Sequence, residues 1–191
     1  MASAQSWKFA VFCDSRGSDV GVNTGILSQI ANNVAAAGVD LVIFPGDLTE
    51  NGRKRELAKW RETMAPIYNA GIAVYPVRGN HEAYSGLSNW TNEFAAELPD
   101  NGPAGEIDQT YYVEHQNALF VGFDHYTGNG HIPEAWLQSV YAASDKPHVF
   151  AFGHEPAFKV SHTDCLDDVP AERNLFIEDF LAAGGRVYFT G

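Results

Sequence analysis

Asp14, Arg16, Asp47, Asn80, His81 and His154 are the residues of this chain whose types and placement could do chemistry. They fall in four short blocks: Asp14-Ser15-Arg16-Gly17, Pro45-Gly46-Asp47, Gly79-Asn80-His81-Glu82 and Gly153-His154-Glu155-Pro156. Each block follows an apolar run that reads as a strand. Carboxylate, amide and imidazole donors together are what divalent cations take. Asp47, held on a Pro-Gly turn, has two carboxylate oxygens and could bridge two ions. Arg16 stays protonated, so it is no metal ligand; its planar fork suits a phosphate. His81, next to Asn80, is poorly placed for the same ion but could face the substrate as a general acid or phosphoryl stabiliser. His125 follows Asp124 at another strand end, and both could reach the rim of the site. Taken singly, each block has a plainer reading as a turn or a structural histidine. Together they are far more specific, because Asp14 to Asp47 and Asp47 to Asn80 are both 33 residues apart, the length of a strand–helix unit.

The elements that must position these residues read as follows. Trp7–Cys13 is a strand, followed by a polar loop to Gly21. Asn23–Ala37 is a helix, with Ile26, Ile30, Val34 and Ala37 at helical spacing and Gly38 at its end. Val39–Phe44 is a second strand, Arg53–Asn69 a second helix and Ile72–Val77 a third strand. This alternation predicts an α/β fold with a parallel sheet and right-handed crossovers. In an open sheet of that kind, ligands bind at the carboxyl ends of the strands. Leu98–Gly105 is a turn-rich connector. Tyr111–His115 and Ala118–Phe123 form a hairpin around Gln116-Asn117. Pro133–Ala143 is a helix, His148–Phe152 a strand, Ala171–Ala183 a helix and Arg186–Phe189 a last strand. Gly86–Gly105 and Thr127–Pro133 are the loops expected to set specificity.

Composition narrows the classes. The chain has 191 residues and a net charge of −12. One domain is expected, large enough to bury a core without staples. The acidic balance argues against specific nucleic-acid binding, which needs Lys and Arg on phosphates. No apolar run is long enough to span a membrane. The start, Met1–Ser6, lacks the apolar segment of a signal peptide, and the compartment stays open between cytoplasm and export. Cys13 and Cys165 leave one disulfide open but form no metal-binding CxxC pair. The basic run Arg53, Lys54, Arg55, Lys59 and Arg61 reads as a solvated helix face, or as an attractor of anionic substrate.

The four blocks, in this order, resemble those of the calcineurin-like metallophosphoesterases, a superfamily that includes purple acid phosphatases and cyclic-nucleotide phosphodiesterases. Its pattern runs Asp-x-His, Gly-Asp, Gly-Asn-His-(Asp/Glu), a lone His, then Gly-His-x-His. The resemblance spans Trp7 to Gly191. It implies a four-layer α/β/β/α sandwich of two mixed sheets. It implies hydrolysis of a phosphomonoester or phosphodiester, on a small or a macromolecular substrate, by in-line attack of metal-bound hydroxide. It also implies two divalent cofactor ions, of Mn, Fe or Zn. Asp14 would bind the first, Asp47 would bridge, and Asn80 and His154 would bind the second. His81 and Arg16 would be catalytic and, with His125, contact substrate. Two departures stand out. Asp-x-His is here Asp14-Ser15-Arg16, and Gly191 reads as the first residue of the final block, so the domain is expected to stop short of the last metal motif. They keep open a second reading, a degenerate relative that binds metal or phosphate without turnover.

Overall fold

Strand β1 (Phe9–Val11) opens the fold of the computed structural model, which describes residues 6–17, 20–127, 130–159 and 165–191. His162 and parts of the Asp14–Gly21 and Thr127–Pro133 loops lie outside the described residues. Two-residue strands β2 (Arg16–Gly17) and β3 (Gly21–Val22) pair antiparallel within what reads as a polar loop. Helix α1 (Thr24–Ala37) starts where the Asn23 side chain accepts the Ile26 N–H, at 3.3 Å. It ends at Gly38, whose φ of 58° suits a residue without Cβ. β4 (Leu41–Pro45) is buried along its whole length. The single helix expected after it is two, α2 (Lys54–Thr63) and α3 (Ala65–Asn69). Pro66 explains the break: it has no N–H to donate, and its ring opposes the carbonyl four residues earlier. β5 (Ala73–Val77) completes a parallel sheet in the order β1-β4-β5.

Two short helices follow, α4 (Asn80–Ala83) and α5 (Leu87–Phe94). The second lies in a stretch whose polar composition reads as loop; burial of Trp90 against Phe94, and of Phe94 against Trp60, overrides that signal. β6 (Tyr111–His115) and β7 (Ala118–Gly122) form the expected hairpin. α6 (Glu134–Ala143), β8 (His148–Phe152), α7 (Pro170–Ala182) and β9 (Gly185–Phe189) finish the chain. The second sheet runs β6-β7-β8-β9 and is mixed: one antiparallel pair, then two parallel ones.

The sheets pack face to face. Phe9 lies 5.1 Å from Phe120 and 5.3 Å from Phe150, ring centre to ring centre, and the Tyr111 hydroxyl donates to the Pro76 carbonyl at 2.6 Å. Strand alternation sorts β7 between two cores. Ala118 and Phe120 join the core shared with the first sheet and with Leu27, Leu57 and Trp60 of α1 and α2. Leu119 and Val121 join the outer core with Leu137 of α6 and with Phe176 and Phe180 of α7. Burial of each such Leu or Phe contributes about 1.5–3 kcal/mol. The result is α/β/β/α, with the carboxyl ends of β1, β4, β5 and β8 carrying the four blocks. Among the described residues no helix is long and apolar enough to cross a membrane.

Candidate metal centre

Two of the acidic residues singled out from sequence adopt backbone conformations rarely seen outside glycine. Asp14 has φ 54° and Asp47 φ 53°. Such strain persists only where surrounding structure enforces it, and it gathers at functional sites. Here the enforcement is visible. Gly46 (φ 86°) lets the backbone pass beneath His154, where a Cβ would lie 2.6 Å from Nδ1. Gly79 lets the next strand end approach Asp47, where a Cβ would lie 2.1 Å from Oδ1. The glycines of two blocks are therefore what allow three strand ends to converge.

The convergence brings Asp14, Asp47 and His154 together: one donor atom from each lies within 4.8 Å of the others. Asp47 is buried and Asp14 exposed. His154 Nδ1 lies 2.9 Å from the Pro45 carbonyl, so it carries the proton and donates it. Nε2 is then the lone-pair nitrogen, 3.4 Å from Asp47 Oδ1. Fixing one imidazole nitrogen by a backbone carbonyl orients the other for a cation. Two carboxylates and one oriented imidazole form a mixed O/N donor set that could hold a divalent ion. Asn80 lies between two residues that abut the same carboxylate, Gly79 and His81, whose N–H donates to Asp47 Oδ1 at 3.2 Å.

Arg16 and His81 flank the cluster. Arg16 Nε lies 3.0 Å from Asp47 Oδ2. His81 Nδ1 contacts the Glu50 carbonyl at 2.6 Å and so is the protonated nitrogen; Nε2 faces Asp47 Oδ2 at 3.9 Å. Tyr84 stands edge-on to the His81 ring, 5.6 Å away, and is exposed.

His125 is not joined to this group. Its ring is buried edge-on to Tyr126, and no hydrogen bond or ion pair links it to Asp14, Asp47 or His154 among the described residues. Burial lowers its pKa, against the opposing pull of Asp124, Asp168 and Glu172. Asp124 does not face the rim either; its carboxylate is taken by Arg78, at 2.5 Å. Both cysteines are free thiols. Burial and the neighbouring Asp14 push Cys13 up to about 12, so it stays protonated beside the site.

Two contributors were missed from sequence. Glu82, wholly buried, accepts from the Thr49 N–H (2.8 Å), the Thr49 hydroxyl (2.9 Å) and the Gly79 N–H (3.0 Å). It staples the Asp47 loop to the Asn80 turn. Burial raises its carboxyl to about 7, with those donors pulling the other way. Arg78 also reaches the Thr127 hydroxyl (2.7 Å), tying the β5 end to the β7 end. The only signal for either was a charge beside the Gly-Asn-His string. The basic run divides in space: Arg61 is held by Glu93 and Glu97. Arg53, Arg55 and Lys59 line a cavity of about 360 Å³ that shares Glu50 and Asn51 with the rim.

This fold with this donor cluster defines the class. The family model for calcineurin-like phosphoesterases matches residues 18–186, and the chain belongs to that family. No curated protein sequence matches it. Among solved structures it is similar to a purple acid phosphatase from yellow lupin seeds (TM-score 0.68, 14% identity), covering 96% of this chain and 37% of that one. A dimetal phosphatase from Danio rerio gives a TM-score of 0.67 at 14% identity, over 97% of this chain and 81% of that one. GAP50, the anchor in the inner membrane complex of Plasmodium, gives 0.60 at 13%, over 96% and 64%. The chain thus spans little more than a third of the lupin protein's length, and these likenesses show the fold.

Proposed function

We propose that this chain is a metal-dependent phosphoester hydrolase acting on a phosphomonoester or phosphodiester. One observation carries the reading: the donors of Asp14, Asp47 and His154 converge within 4.8 Å, with the Arg16 guanidinium 3.0 Å from Asp47. Asp14, Asp47, Asn80 and His154 would hold the metal. A divalent ion bound there supplies Lewis acidity and brings the pKa of bound water towards neutrality. Arg16 binds and orients the anionic phosphoryl group, with the N–H groups that Asp47 leaves unused. His81, anchored through Nδ1, can serve the oxygen that gains charge as the ester bond breaks only with both ring nitrogens protonated, when Nε2 too is a donor. Asp47 fixes the register of the site by accepting from His81 N–H and Arg16 at once.

The test is hydrolysis of p-nitrophenyl phosphate and bis-p-nitrophenyl phosphate by metal-stripped protein, with Mn, Zn, Fe, Ni or Mg restored singly. Metal-dependent turnover supports the reading, and the preferred ester gives its class. Arg16 in the place of an imidazole favours a second reading, a binder without turnover. Stoichiometric metal and phosphate binding with no hydrolysis of either ester would establish that instead.

A further inference from the structure

We infer that the centre holds one divalent cation rather than two, and that the Arg16 guanidinium stands as the second positive charge. The inference rests on reading the cluster as a metal centre and narrows it. Asp47 is the residue a pair of ions would have to share, and its two oxygens are already divided. Oδ1 faces His154 Nε2 at 3.4 Å. Oδ2 faces Arg16 Nε at 3.0 Å. All three convergent donors, from Asp14, Asp47 and His154, gather around one position. A second ion, about 3.5–4 Å from the first, would have to share Oδ2 with a guanidinium that cannot lose its proton.

The placement of Arg16 is built in. Its backbone pairs with Val22 across the β2–β3 ladder. The preceding Ser15 is buried, its hydroxyl donating to the Leu48 carbonyl (2.8 Å) and accepting from Trp60 Nε1 (3.1 Å). Glu50, 3.7 Å from NH1, holds the fork from its far side. The side chain remains 42% exposed, so the N–H groups facing neither Asp47 nor Glu50 are open to a phosphoryl oxygen. A fixed, planar cation beside a single metal can neutralise an equatorial phosphoryl charge as a second metal would, with two directed hydrogen bonds instead of a coordination bond.

Equilibrium dialysis against Mn²⁺, followed by metal analysis and electron paramagnetic resonance, tests this without reference to activity. The expected result is one Mn²⁺ per chain with the six-line signal of an isolated ion. Arg16→His restores an imidazole and removes the charge, and should take up two Mn²⁺ with the signal of a coupled pair. The side chain is exposed enough for the variant to fold, which a thermal melt in chelator checks. Two ions on the wild-type chain would overturn the inference and leave the hydrolase reading standing. A single ion on the Arg16→His chain would also overturn it, since Arg16 would then not be what excludes the second. No bound ion on the wild-type chain would overturn the metal centre itself, and this inference with it.

Discussion

The two sheets end in loops of different kinds. At the ends of β1, β4 and β5 the turns are tight and strained at Asp14 and Asp47, and Glu82 staples those after β4 and β5 together. They carry Asp14, Arg16, Asp47, Asn80 and His81. At the ends of the second sheet, β8 delivers His154, while β7 commits Asp124 to Arg78. The first sheet supplies most of the donors; the second supplies one imidazole and, in Asp124, half of the ion pair that holds the two sheets in register. Most of the convergent donors thus come from the first sheet, while the buried ion pair that closes the two sheets joins an end of each.

That contrast can be broken where it is strongest. Asp47→Asn should reduce turnover by at least about 10²-fold, at or beyond the upper end for loss of an outer-sphere partner, because the ligand itself is altered. It should also lower bound metal, read by metal analysis; undiminished activity with full metal would remove Asp47 from the centre. On the other sheet the largest effect should be on stability. Asp124→Ala leaves Arg78 buried without its counter-charge and should cost about 3–5 kcal/mol in urea unfolding. Metal per folded chain should stay unchanged, and a loss below 1 kcal/mol would show that the pair is no clamp. Gly46→Ala probes the seam between the halves. Its backbone is left-handed and the new methyl would press on His154, so about 1–3 kcal/mol is expected together with weaker metal binding. Gly38→Ala is the control: φ is also positive, but nothing lies within 4 Å, and metal binding should not change.

The smallest effect lies far from the site. Burial acts to raise the Glu172 carboxyl, but the Ile132 N–H and His131 outweigh it and hold it below the usual range. Stability from this group is therefore present above the unfolded carboxylate value and lost as pH falls through the lower folded one. Glu172→Gln should cost about 0.2–1 kcal/mol near neutrality, with the gap to wild type closing in acid. A gap that persists at about pH 3, below the usual carboxylate range, would assign the effect to packing.

Much of this arrangement could be read beforehand, for physical reasons. Long periodic segments such as Thr24–Ala37 and His148–Phe152 announce themselves through burial. Asp14, Asp47 and His154 stood out because ligand chemistry restricts residue type and strand ends restrict position, and the structure brings their donor atoms within 4.8 Å of one another. The helix at Leu87–Phe94 was hidden, since only Trp90 and Phe94 mark its buried face and the ring that Phe94 packs on, Trp60, lies far back in the sequence. His125 shows the complementary difficulty: a histidine at a strand end looks the same in sequence whether its ring turns to the donor cluster or, as here, packs beside Tyr126. The roles of Glu82 and Arg78 depend on partners at Thr49 and Asp124, separations that no local pattern encodes.

The hydrogen bond from His154 to the Pro45 carbonyl joins residues 109 positions apart, one on each sheet. The imidazole is thus rooted in one half and aimed by the other. A cation bound to Asp47 and His154 grips both halves, and by thermodynamic linkage it can favour only the assembled arrangement. Added metal should raise the melting temperature of the whole chain, and two separately produced halves should associate more tightly in its presence. The ion would then serve as a reversible fastener as well as a reagent, making the sandwich's cohesion responsive to metal supply.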